Sequence, residues 1–182
     1  MIMTHYTHNI LTNMIQEVER EFPLETSCYP TSDIRELIDN PDCPDDDARE
    51  CGTPFLNQRW IDTPAKQWYY NAEYVSFAKS SALAYFLPSI MRLSYLDEIS
   101  DEKKWMGDTS EWMMYKLIVI DFSSQDVRDY AQKTVDEIYH SYTGKQLNLV
   151  KKWILFQNEY NDYDPGCANA LALVDRARER LQ

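Results

Sequence analysis

The stretch "SSALAYFLPSIMRL", residues 80–93, decides the fold. Leu83, Phe86, Leu87, Ile90, Met91 and Leu93 give a helix with a wide apolar face. Pro88 stands in its middle. It offers no N–H to the carbonyl of Ala84, and its ring crowds that carbonyl, at a cost of about 3 kcal/mol. Each large apolar side chain contributes roughly 1.5–3 kcal/mol on burial. Several such residues outweigh the defect. The segment is therefore expected to stay helical, to kink at Pro88 and to form the centre of the molecule.

The flanking sequence is also helical. Residues 7–22 place Ile10, Leu11, Met14, Ile15, Val18 and Phe22 on one face, with EVERE outside and Pro23 as the stop. Ser32 is a candidate cap for a short piece at 32–38. A helix starts at one of Asp45, Asp46 or Asp47 and runs to about Asn57, after which Trp60 anchors the chain. Thr63-Pro64 reads as the start of a helix that carries Trp68 and Tyr69 and ends near Asn71. The central helix is predicted over Ser76–Leu93. Gly107 and Asp108 read as a break, and Ser110 as the cap of the next helix. Ser123-Ser124-Gln125-Asp126 resembles a capping box before a helix with Val127, Tyr130, Ala131, Thr134, Val135, Ile138 and Tyr142 on one face. Gly144 is expected to end it. Residues 145–160 repeat the pattern. Asp164-Pro165 opens the last helix, with Ala170, Leu171, Val174 and Leu181 facing inward. The one strand candidate is KLIVIDF, residues 116–122, which is equally readable as a helix end. The expected fold is all-α: a compact bundle of seven or eight helices around the proline-kinked helix. Residues 1–182 form a single helical domain, with 143–182 open to being an added C-terminal helical pair.

Composition narrows the function classes. The chain has 182 residues, 18 basic and 30 acidic, for a net charge of -12. That charge repels a polyphosphate backbone and an anionic membrane surface, so neither nucleic acid nor membrane is an expected partner. A basic protein is compatible. Four glycines leave little material for phosphate-cradling loops. The four cysteines, Cys28, Cys43, Cys51 and Cys167, form no Cys-x-x-Cys pair. No secretory signal is visible in MIMTHYTHNILTNMI, and no apolar run approaches a membrane span. A cytoplasmic protein with reduced thiols is expected, with pairing of Cys43 and Cys51 left open.

Residues 32–96 resemble an uncharacterised bacterial family of small acidic proteins, a domain of unknown function. The similarity lies in CGTPFLNQRW (51–60), VSFAKSSALAYFLPSIM (75–91), the loop DCPDDDARE and the helix FSSQDVRDYAQKTVDEIY (122–139). The family pattern is an Ala-Phe-x-Tyr-Tyr-Leu-Pro-like helix. Leu83 stands where phenylalanine is usual, and Ser89 where alanine is usual. The resemblance implies no reaction. It implies that Tyr85–Pro88 is a fold signature.

No catalytic, cofactor or metal-binding constellation emerges from the sequence. His5 and His8 lie three apart but have no acid nearer than Glu17, and His140 stands alone on a charged helix. The aspartates around Pro44 lack the glycine and alternation of a calcium loop. The candidate partner-binding residues are Asp42, Asp45, Asp46, Asp47 and Glu50 in the acidic loop, and Tyr160, Asp162, Tyr163 and Asp164, where tyrosines alternate with acids. The function expected is a non-catalytic protein-binding module. Its most concrete form is a bacterial immunity protein that neutralises a basic toxin, since acidic faces speed the capture of cationic partners. The alternatives are an enzyme with an unmarked helical active site and a self-associating helical structural or regulatory domain.

Overall fold

The computed structural model describes residues 6–23, 29–39, 46–119, 124–161 and 166–182, with Asp46 and Asn161 described by their backbone alone. The described residues form ten α-helices: α1 His8–Glu21, α2 Ile34–Leu37, α3 Asp46–Gly52, α4 Ala65–Tyr70, α5 Tyr74–Phe77, α6 Ser80–Ile99, α7 Gly107–Ile118, α8 Gln125–His140, α9 Gly144–Asn161 and α10 Gly166–Glu179. One 3-10 turn covers Thr53–Phe55. The fold is all-α. The helix number exceeds the seven or eight expected, in part because residues 74–77 form α5, a piece too brief to display a 3.6-residue period and separate from α6. Among the described residues none forms a strand. A single antiparallel bridge joins Ile38 to Ala78. The strand candidate splits: Lys116–Ile118 close α7, Val119 ends it in the left-handed region at φ 51°, and 120–122 lie outside the described residues.

Helix α6 runs unbroken through Pro88, and every residue from Ala82 to Met91 is buried. A helix buried around its whole circumference is covered by neighbours on every side. Helices α1, α2, α7 and α8 pack on it. The carbonyl of Ala84, which Pro88 cannot serve, accepts instead from the Tyr142 hydroxyl at 2.6 Å. A side chain beyond the end of α8 thus replaces the missing backbone donor, and a buried acceptor is satisfied. Beside this point lies a ring cluster. Phe55 stacks on Tyr74 at 4.3 Å and touches Trp68 at 4.5 Å, while Trp68 meets Phe86 edge-on at 5.9 Å. The Trp68 indole N–H donates to Ser89 Oγ at 3.1 Å. Serine at position 89 is therefore a buried acceptor, not a gap in the apolar face.

Several boundaries differ from the sequence reading, each for a local reason. Asp33, not Ser32, caps α2, its carboxylate accepting from the N–H of Arg35. Thr63 turns its hydroxyl back to the carbonyl of Arg59, and α4 begins after Pro64. The central helix starts at Ser80, because residues 74–77 form α5. Gly107 and Asp108 open α7 rather than break the chain. The real break is 100–106, where Asp97 Oδ2 accepts from the N–H groups of Trp105 and Met106, and Lys104 Nζ donates to the carbonyls of Asp97, Glu98 and Ser100. A lysine on the last carbonyls of a helix and a carboxylate on the next chain's amides close both ends of the link. Ser110 is not a cap. It lies inside, with its hydroxyl 2.8 Å from that of Ser94. Ser124 precedes α8 without a side-chain cap bond. Gly144 does not end α8; it begins α9. Thr143 Oγ1 accepts from the N–H of Gln146, and Gln146 Oε1 accepts from the N–H of Thr143, a reciprocal capping box that the threonine-to-glutamine spacing encodes.

Helices α9 and α10 pack on each other and reach α1, α7 and α8. At Gly166 an added Cβ would meet Ile118 Cγ2 at 2.8 Å, so α10 lies against the end of α7 as closely as a glycine permits. Asn169 Nδ2 donates to the carbonyl of Ile118 at the same contact. Leu181, expected inside, is exposed because α10 ends at Glu179. No described helix is long and apolar enough to cross a membrane.

Candidate functional site

Of the candidate partner-binding residues singled out in the sequence, the structure describes the side chains of Asp47, Glu50 and Tyr160. Asp42, Asp45, Asp162, Tyr163 and Asp164 lie outside the described residues, and Asp46 is described by its backbone alone, in the first turn of α3. Asp47 and Glu50 face solvent on α3. Their charges act on Cys51: burial first, then Glu73, Asp47 and Glu50, raise its thiol above the ordinary range. The thiol is free and held protonated, which suppresses it as a nucleophile. Cys43, its candidate partner, is outside the described residues. Tyr160 is half-buried, with its ring 4.9 Å from Phe156 in a group that includes Tyr6 and Tyr95. Burial, then the carboxylates of Glu98 and Glu159, push its phenol up to about 12. Its ring packs against the core while part of the side chain stays open to solvent. His8 and His140 are exposed and His5 lies outside the described residues. Among the described residues no three His, Cys, Asp or Glu side chains gather as a metal ion would require.

Two other places bring functional chemistry together. The first is the outer face of α7. Asp108, Glu111, Trp112 and Tyr115 recur at i, i+3, i+4 and i+7, and all four are exposed. Trp112 is 42% and Tyr115 45% open to solvent. The inner face explains this orientation. Met113, Met114, Leu117 and Ile118 are buried, and Thr109 donates to the carbonyl of Trp68 at 3.2 Å. Once these residues fix the helix rotation, the aromatic pair must point out. Helix α4, which packs on α7, adds Tyr70, 65% exposed. Tyr70 touches Tyr69, and Tyr69 touches Trp105 edge-on at 5.2 Å. Lys103 Nζ sits 4.6 Å from the Tyr69 ring and 4.3 Å from that of Trp105. Lys66 Nζ lies 5.9 Å from the Tyr70 ring, so this region already holds two ammoniums over its ring faces.

The second place is a cleft of about 610 Å³ between the end of α1, the first turns of α6 and the end of α8. Its walls include Phe22, Tyr29, Trp60, Tyr85 and Tyr142, with Pro88 among the lining residues. Tyr29 and Tyr85 stack at 4.9 Å, and Phe22 meets Tyr142 edge-on at 5.3 Å. The rings are tied in place: the Tyr29 hydroxyl donates to the carbonyl of Glu36 and lies 3.1 Å from Ser81 Oγ, while that of Tyr142 is held by Ala84. Burial raises the Tyr142 phenol well above its ordinary value. The lining also carries Asp39, Lys79, Ser80, Glu137 and Gln146.

Sequence reasoning named neither place. The signal for the first was present, because the Asp108-Glu111-Trp112-Tyr115 spacing marks one side of a helix. The second joins residues up to 124 positions apart, Phe22 to Gln146, and no local pattern announces it. No protein-family model, no curated protein and no solved structure matches this chain.

Proposed function

We propose that this chain is a non-catalytic protein-binding module that engages a basic protein through the outer face of α7. In its most concrete form it is a bacterial immunity protein neutralising a basic toxin. The observation that carries the reading is the exposed acid–aromatic stripe Asp108, Glu111, Trp112 and Tyr115 on a chain of net charge -12. The acids steer a cationic surface in, and tryptophan and tyrosine supply the anchors that dominate interface energies. Lysine or arginine from the partner lies over Trp112 as Lys103 lies over Trp105. Asp47 and Glu50 extend the acidic exterior. The same charge works against nucleic acid and anionic lipid. The proposed setting is the cytoplasm, where the Cys51 thiol stays reduced.

The test titrates the chain, at several salt concentrations, with each basic protein that its flanking reading frames encode. A complex that weakens steeply with salt, and loses about tenfold or more in affinity with Trp112→Ala at unchanged melting temperature, supports the reading. Failure to form a complex, or one indifferent to both salt and Trp112→Ala, overturns it.

We further infer that α6 bends at Pro88, completing the picture of a kinked central helix. The support is the Ala84 carbonyl, which turns to a hydroxyl from outside its own helix. Proline without such a partner leaves a carbonyl unserved, and the ring pushes the axis away from it.

A further inference from the structure

We propose that the cleft between α1, α6 and α8 binds a small organic cation with an apolar body, such as an aryl or alkyl quaternary ammonium. Its volume, about 610 Å³, falls in the range of small-molecule sites, which run to roughly 300–1,000 Å³. Its walls are aromatic, and aromatic faces carry the negative end of the ring quadrupole. The stacking of Tyr29 on Tyr85 and the bond from Tyr142 to Ala84 fix these rings before any ligand arrives, which lowers the ordering cost of binding.

The lining residues select the charge. Asp39 and Glu137 are both exposed at the surface, against Lys79 as the one base in the lining. Asp39 Oδ2 accepts from the Tyr130 hydroxyl at 3.0 Å, and Glu137 Oε2 from Ser80 Oγ at 2.7 Å. Each carboxylate therefore has a fixed position and unspent acceptor capacity. Lys133 pairs with Glu137 at 3.7 Å, an exposed contact that a better-placed cation displaces cheaply. An anion would meet the same carboxylates as repulsion. The rings accept the apolar body and the carboxylates accept the charge.

This site shares no residue with the α7 face, so it stands or falls apart from the protein-partner reading. The experiment titrates the full chain by calorimetry with 3-hydroxyphenyltrimethylammonium and, in parallel, with 3-tert-butylphenol, its neutral isostere. The cation is expected to bind at least about tenfold more tightly, a difference of about 1.4 kcal/mol. In the double variant Asp39→Asn with Glu137→Gln that preference is expected to fall close to unity. Both substitutions keep an acceptor for Tyr130 and Ser80, so the melting temperature should hold. Trp112→Ala should leave the affinity unchanged. Three outcomes each overturn the proposal: neither compound binds at millimolar concentration, both bind equally, or the cation's advantage survives in the double variant.

Discussion

Trp68 and Trp112 lie on neighbouring, packed helices, yet one is fully buried and the other nearly half exposed. Trp68 sits among Phe55, Tyr74 and Phe86 with its N–H satisfied by Ser89. Trp112 sits beside Glu111 on the outer side of α7, 42% open to solvent. The same side chain holds the interior together in one place and, in the function we propose, meets a partner in the other. Residue type alone therefore does not assign a role; the rotation of its helix does. In α7 that rotation is set by Met113, Met114 and Leu117 on the opposite side.

The widest separation should come from truncating the two tryptophans. Trp68→Ala is expected to cost about 3–5 kcal/mol in denaturant unfolding, because the surrounding rings cannot collapse onto the space. Trp112→Ala should stay within about 0.5 kcal/mol of the parent. Equal losses would erase the distinction between interior and contact surface. The Tyr142 hydroxyl tests a finer version of the same contrast, since a buried polar group matters through what it leaves unpaired. Tyr142→Phe should cost about 1–3 kcal/mol by stranding the Ala84 carbonyl, although it removes a single oxygen. A negligible loss would show that the carbonyl finds another donor.

The smallest effect belongs to the exterior. Lys151 Nζ lies 2.7 Å from Asp175 Oδ2, and Arg178 adds a second contact. The bond from Lys151, ahead of its charge and that of Arg178, holds the Asp175 carboxyl below the ordinary range. With 43% of the Asp175 side chain exposed, solvent screens most of the gain. Asp175→Asn should therefore cost only about 0.2–1 kcal/mol near neutrality. A depressed carboxyl contributes above its unfolded value, about 3.9, and loses that contribution as pH falls through the folded value. The gap in melting temperature between parent and variant should accordingly close under acid. A gap that persisted there would have another origin than the ion pair.

Much of the architecture was legible because helices announce themselves locally. The faces of α1 and α9 follow from spacing, except that Ile10, expected on the apolar face of α1, is 42% exposed in its first turn, and Thr7 caps α1 where the pattern begins. The misreadings have specific causes. Glycine at 144 carries two opposite meanings, stop and start, and only the reciprocal bonds of Thr143 and Gln146 separate them. Ser110 reads as a cap, yet it lies inside, its hydroxyl 2.8 Å from that of Ser94, where small side chains let α6 and α7 approach. At Val127 and Tyr130 the periodicity of α8 runs beyond what its neighbours cover, and both are exposed. The candidate surfaces were the least legible part, since acids and aromatics become a site only by facing the same way.

The amino-acid order by itself determined that the chain is helical, that the segment around Pro88 is apolar enough to be buried, and that the net charge is strongly acidic. Each follows from residues within a few turns of one another or from a simple count. Tertiary structure alone decided which rings are buried, which hydroxyl replaces the bond that Pro88 forfeits, and where a cleft opens. Those outcomes depend on partners tens of residues away, such as Tyr142 over Ala84, and a helical period carries no information about what will lie across from it.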